Sequence, residues 1–138
     1  MIIADTSGLL AYFNHAEPRH AAVASIVEST QEPLVVSPPV VAELDYLVAT
    51  RHGVEAELAV LEELAGGAWM LATFDAEDLS AARSVVERYR DQQIGIADAS
   101  LVVLAERLNT RRILTLDHRH FDVVRPRRGG RFSLLPRS

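Results

Sequence analysis

The sequence predicts an α/β domain in three layers, with a four- to five-stranded, mostly parallel sheet flanked by helices. Three observations lead there. Short, largely apolar runs recur at Met1–Ala4, Leu34–Val36, Ala68–Thr73 and Arg112–Leu116. They are apolar through their length instead of alternating, as strands covered on both faces are. Segments with helical spacing separate them, and strand–helix alternation implies parallel pairing. The chain has 138 residues, which suits one domain over 1–138 and is short for two.

Met1–Ala4 reads as a buried strand ending at Asp5, and Thr6–Asn14 as a helix burying Leu9, Leu10 and Phe13. Pro18 suits a first helical turn, with Ala21–Val27 continuing a second helix. After Leu34–Val36, Ser37 can cap a helix running through Pro39–Thr50. Gly53 breaks it, and Val54–Leu64 is closed by Gly66 and Gly67. Asp75–Arg90 is a helix with Leu79, Ala82, Val85, Val86 and Tyr89 turned inward. Ile96–Leu108 is strongly apolar, Arg112–Leu116 is a strand ending at Asp117, and Arg131–Leu135 a last edge strand.

The composition excludes several classes. The chain lacks cysteine, which removes disulfides, thiol nucleophiles and iron–sulfur clusters and fits a reducing cytoplasm. Its apolar runs fall short of the ~20 residues that span a bilayer. Met1–Asp5 has no basic region and does not read as a signal peptide. The net charge of −5 is unevenly spread. Residues 111–138 hold eight Arg and two acids, whereas residues 1–110 hold six Arg and seventeen acids. All basic residues are Arg. Codon usage in a GC-rich genome explains that, and so does a phosphate-contacting surface.

Four carboxylates stand where chemistry gathers. Asp5 and Asp117 each follow a strand, and ligands of open parallel sheets sit outside the carboxyl ends of strands. Either residue alone is also a good helix cap. Asp98 falls among Leu101, Val102 and Ala105 on the wheel, opposite Ser100, Glu106 and Arg107. A buried carboxylate there must be paired, protonated or bound to a cation, or eased by the helix N-terminus. Glu43 and Asp45 lie at opposite borders of the stripe Val40, Val41, Leu44, Leu47 and Val48, and the wheel does not choose between them.

Converging carboxylates repel one another unless a cation neutralises them, and hard oxygen donors suit Mg²⁺ or Mn²⁺. Such a site serves phosphoryl chemistry without a Ser, Cys or His nucleophile. Thr6 and Ser7 can cap the first helix, or bond a ligating carboxylate or a phosphate, and Thr115 points to the same side of its strand as Asp117. Nucleotide-binding glycine loops and the G-x-S-x-G elbow are missing. His118 and His120, spaced i, i+2 without a third ligand, do not make a zinc site and are expected on the surface near the mouth of the carboxylate site.

The segments Met1-Ile2-Ile3-Ala4-Asp5-Thr6-Ser7-Gly8, Val40-Val41-Ala42-Glu43-Leu44, Ile96-Ala97-Asp98-Ala99-Ser100 and Leu114-Thr115-Leu116-Asp117-His118-Arg119-His120-Phe121 occur in an order that resembles the PIN-domain nucleases, and among them the VapC-type toxins of toxin–antitoxin modules. The resemblance spans nearly the whole chain. It implies that Asp5, Glu43, Asp98 and Asp117 form the acidic quartet, and so favours Glu43 over Asp45. It implies Mg²⁺- or Mn²⁺-dependent cleavage of single-stranded or looped RNA, often tRNA or ribosomal RNA. It also implies a homodimer and a VapB-type antitoxin laid over the groove. Without Lys, grip on RNA falls to Arg, with Arg112, Arg119, Arg125, Arg127 and Arg128 as candidates. The rival readings are a non-catalytic PIN-like module that binds RNA or protein, and a hydrolase acting on DNA or small phosphate esters.

Overall fold

The computed structural model describes residues 1–137. Among them, five strands form one sheet in the order β3-β2-β1-β4-β5, and every neighbouring pair is parallel. In chain order the elements are β1 (Ile2–Ala4), α1 (Thr6–Phe13), α2 (His20–Ser29), β2 (Leu34–Val36), α3 (Pro38–His52) and α4 (Val54–Ala65). There follow β3 (Met70–Leu71), α5 (Ala76–Arg88), a 3-10 turn at Arg90–Gln92, α6 (Ile96–Arg107), β4 (Arg112–Leu114), α7 (His120–Val123) and β5 (Ser133–Leu135). The seven helices flank the sheet, in agreement with the α/β class expected.

The central strands are apolar because both faces are covered. Ile2, Ile3, Val35, Val36, Ile113 and Leu114 are fully buried. Side chains of this size contribute about 1.5–3 kcal/mol each when removed from water, so the sheet centre anchors the core. Local signals set the helix ends. Ser37 Oγ accepts from the Val40 N–H and caps α3, whose first turn holds Pro38 where no amide partner is needed. Gly53 adopts φ 89° between α3 and α4. Asp75 and Asp78 exchange side-chain-to-backbone bonds as a capping box at the start of α5.

Several elements differ from expectation. β3 pairs over only two residues, and Met70 and Leu71 are exposed at the sheet edge, while the flanking Trp69 and Ala72 turn inward. β4 stops at Leu114, because the N–H groups of Leu116 and Asp117 bond to the hydroxyls of Ser7 and Thr115 instead of a ladder partner. Leu79 is exposed on the first turn of α5, whereas Ala82 and Val85 form the buried seam. Ser100, expected on the polar side of α6, is fully buried. It donates to the Ala97 carbonyl (2.6 Å) and its hydroxyl meets Ser37 Oγ at 2.7 Å. α3 packs on the face of α6 that carries Ser100, so this residue alone of the polar stripe is cut off from solvent, while Glu106 stays half-buried and Arg107 exposed.

Candidate active site

β1 and β4 run side by side with Ile3 opposite Ile113 and Ala4 opposite Leu114. Asp5 and the segment Thr115–Asp117 therefore leave the same edge of the sheet. A network of short polar contacts stitches them together. The Asp5 N–H donates to the Leu114 carbonyl at 2.9 Å. Asp5 Oδ1 accepts from the Thr6 N–H at 2.8 Å, and Oδ2 accepts from Thr115 Oγ1 at 2.7 Å. Ser7 Oγ lies 3.1 Å from both Asp5 Oδ2 and Thr115 Oγ1, with one proton to offer the two. Ser7 and Thr115 also accept the N–H groups of Leu116 and Asp117 at 3.0 Å. These two hydroxyls thus position both strand ends. Thr6 is also buried, and its hydroxyl has no protein partner.

The close fit of α1 on β4 depends on Gly8. A Cβ there would run into the Leu114 carbonyl oxygen, so only glycine lets the helix start this near the strand. α6 begins at the same edge and carries Asp98 in its first turn. α3 begins directly after β2 and carries Glu43 farther along.

The electrostatics show that these acids face one another. Asp5 is 6% exposed, and burial pushes its carboxyl up to about 6, with the charge of Asp98 adding to the rise and the bonds from Thr115, Ser7 and Thr6 opposing it. Asp98 is also raised, first by burial and then by repulsion from Glu43 and Asp117, while His120 opposes the shift. Asp117 and Glu43 lie at the exposed rim. All four acids are thereby brought to one edge.

Among the described residues, no three acidic or histidine side chains already stand as a closed metal cage. The donor set nonetheless fits a hard divalent ion. It is all oxygen, its two inner carboxyls are pushed toward their protonated forms by burial and mutual repulsion, and water can complete an octahedral shell.

The sequence places His118 and His120 on the surface near the mouth of the site, and the structure sets His120 against Asp98. Its Nε2 stands 3.7 Å from Asp98 Oδ1, the ring is 18% exposed, and that nitrogen has no hydrogen-bond partner. The available signal was Asp117, three residues earlier, whose Oδ1 accepts the His120 N–H and starts α7. His118 is half-buried with an unpartnered Nε2.

The arginine candidates divide. Arg119 leaves the acidic edge next to Asp117. Arg125 folds back on the Asp122 carbonyl. Arg112 starts β4, at the other end of the strand, and pairs with Glu32. Arg127 and Arg128 lie 3.4 and 3.9 Å from Glu106, near the end of α6. The structure does not bring these last three to the acidic edge.

Comparison with known proteins agrees with this architecture. Residues 2–125 match the PIN domain family. The chain is 63% identical over 135 residues to Ribonuclease VapC26 of Mycobacterium tuberculosis, covering 98% of this chain and all of that protein. The crystal structure of Mycobacterium tuberculosis VapC20, described as a sarcin–ricin-loop-cleaving toxin, superposes with a TM-score of 0.75 at 19% identity, over 82% of this chain and 87% of that one. FitAcB from Neisseria gonorrhoeae superposes with a TM-score of 0.58 at 20% identity, over 83% and 86% of the two chains. The two superpositions establish a shared fold, and the sequence matches establish kinship: the chain belongs to the PIN-domain family, in its VapC group.

Proposed function

We propose that this chain is an endoribonuclease toxin of a type II toxin–antitoxin pair, cutting RNA phosphodiester bonds by hydrolysis with Mg²⁺ or Mn²⁺. The observation that carries the reading is the gathering of Asp5, Glu43 and Asp117 around Asp98 at one sheet edge. A binding module gains nothing from assembling acids against an acidic ligand. Kinship with a protein named a ribonuclease supports the choice of RNA over DNA or small esters.

Asp5 and Asp98 would be the main ligands, with Glu43 and Asp117 completing the shell directly or through water. A bound divalent ion supplies charge neutralisation at the phosphate and a water of lowered pKa. The protein's own groups do the rest. Thr115, Ser7 and the Thr6 N–H fix the Asp5 carboxylate in one orientation. The exposed Asp117 and Glu43 carboxylates can accept a proton from, and orient, the attacking water. His120, beside Asp98, is placed to hydrogen-bond an oxygen of the reacting phosphate.

The substrate proposed is a single-stranded or looped region of tRNA or ribosomal RNA. A VapB-type antitoxin is the proposed inhibitor. A cavity of about 540 Å³, lined by Leu10, Phe13, Val48 and Val60 together with Glu17, Arg51 and Glu63, opens beside Ser7 and Leu116, where a largely apolar segment of the inhibitor would crowd the acids. Exposed apolar side chains at Tyr46, Leu58 and Leu71 support a protein partner, including a second copy in a homodimer.

The test is cleavage of labelled tRNA and ribosomal RNA stem-loops by the purified chain in Mg²⁺, in Mn²⁺ and in EDTA, beside Asp5→Asn. Cutting by the wild type with either metal, lost in EDTA and in the variant, is the expected result. Metal-dependent binding without cutting would leave the non-catalytic module as the correct reading.

A further inference from the structure

We propose that the flank running from the catalytic edge down to the start of β5 is an RNA phosphate-binding exosite, which rests on the ribonuclease reading above. β4 leaves the sheet at the catalytic edge after Leu114, and β5 re-enters opposite Arg112 at the far edge. The connection must therefore travel the full height of the sheet. It carries Arg125, Arg127 and Arg128 down the outside of α6 and meets Arg111 and Arg112 at the bottom.

There the Arg111 guanidinium donates to the Gly129 carbonyl at 2.6 Å and holds the turn in place. A pocket of about 370 Å³ results, lined by Thr110, Arg111, Arg112, Pro126, Arg127 and Arg128, with Glu106 as its acid. That acid is a loose partner. It sits 3.4 Å from Arg127 and 3.9 Å from Arg128, and its Oε2 makes no hydrogen bond. Arg128 is 80% exposed.

A phosphate fits this donor set, because guanidinium forks bind phosphate oxygens in pairs. The arrangement favours a polynucleotide over an acidic peptide. Residues 1–110 carry eleven more acids than bases, whereas residues 111–138 carry six more bases than acids. An RNA strand whose scissile phosphate lies at the acidic edge can leave along this flank, where Arg125, Arg127 and Arg128 outnumber Asp122 and Glu106. The flank would grip phosphates several nucleotides from the cut, and would favour long or folded RNA over short fragments.

The experiment measures binding of a fluorescein-labelled stem-loop RNA to the full chain in EDTA, over a range of salt. Arg127→Gln/Arg128→Gln should weaken binding on the order of tenfold and lower the slope of log K against log salt by about 1.4 to 1.8, the value for two lost phosphate contacts. Glu106→Gln, which frees both guanidiniums, should tighten binding severalfold. Wild-type affinity and slope in both variants would overturn the proposal, as would polyglutamate competing as well as RNA. If the double variant fails to fold by thermal melting, Glu106→Gln decides alone. Cleavage of the same RNA by the wild type in Mg²⁺ is scored separately. Binding with the expected slopes but no cutting refutes the nuclease reading, and cutting with unchanged slopes refutes the exosite.

Discussion

Asp5 is buried beside Asp98, with its carboxyl pushed up to about 6 from an ordinary value of 3.8. The folded chain therefore holds a proton that the unfolded chain releases. The sign follows: the stabilising contribution of protonated Asp5 is complete below about pH 4 and is lost as pH rises through about 6. By pH 7.5 the loss amounts to about 2–3 kcal/mol, because each tenfold change in proton affinity is worth ~1.4 kcal/mol. Asp5→Asn removes this titration. In EDTA the variant should melt several degrees above the wild type at pH 7.5, and the gap should close by pH 4. Added Mg²⁺ should raise the melting temperature of the wild type and leave Asp5→Asn unmoved; equal shifts in both would take the metal away from Asp5. Thr115→Val tests the neighbouring hydroxyl, which donates to Asp5 and accepts from the Asp117 N–H. Losing both contacts should raise the Mg²⁺ concentration for half-maximal cleavage by about 10- to 100-fold, the usual cost of removing a group that orients a ligand.

α1 reaches β4 through Gly8, and its Cβ position is occupied by the Leu114 carbonyl oxygen. Gly8→Ala gains helix propensity but must push the helix off the strand, at a cost of about 1–3 kcal/mol for overpacking. The expected readout is a lower urea midpoint with an unchanged slope, together with reduced cleavage, because Asp5 and Ser7 flank the displaced turn. A midpoint at or above that of the wild type would mean the contact is not tight. Elements of this kind were legible where periodicity and caps agreed, as in α3 between Ser37 and Gly53. They were less legible where tertiary partners decide. The wheel cannot know that the start of α3 packs against α6 at Ser100, so this residue reads as solvent-facing although it bonds to Ser37 across the core. β4 reads two residues too long because its end is diverted to side-chain hydroxyls far apart in sequence.

At the scale of the whole molecule, strand direction alone placed Asp5 and Asp117 on one edge, and the register of β1 on β4 agrees. The same logic puts Arg112, at the start of its strand, on the opposite edge from Asp117, which charge clustering by itself obscured. Glu43 against Asp45 was beyond periodicity, since both border the same stripe, and only the way α3 follows β2 turns one of them toward Asp98. His120 was legible as a residue near the mouth of the site, but not as a neighbour of Asp98, because its direction depends on the single turn α7 and on the bond from its N–H to Asp117 Oδ1. The resulting layout separates two surfaces around the acids. The apolar cavity between α1, α3 and α4 lies to one side, and the arginine flank beyond α6 to the other. Inhibition and RNA grip should therefore be separable by mutation. Ala59 lines the cavity, is exposed and touches none of the acids, so Ala59→Arg places a charge where an apolar inhibitor segment would sit without disturbing the fold. The long guanidinium, within reach of Glu63 one turn on, takes the space of an apolar segment and must be desolvated when that segment docks, which weakens the contact. The variant should need about 100-fold more VapB-type antitoxin for half-inhibition, while cutting free RNA within about twofold of the wild-type rate. Unchanged inhibition would move the antitoxin off this cavity, and lost cutting would show that the two surfaces are not independent.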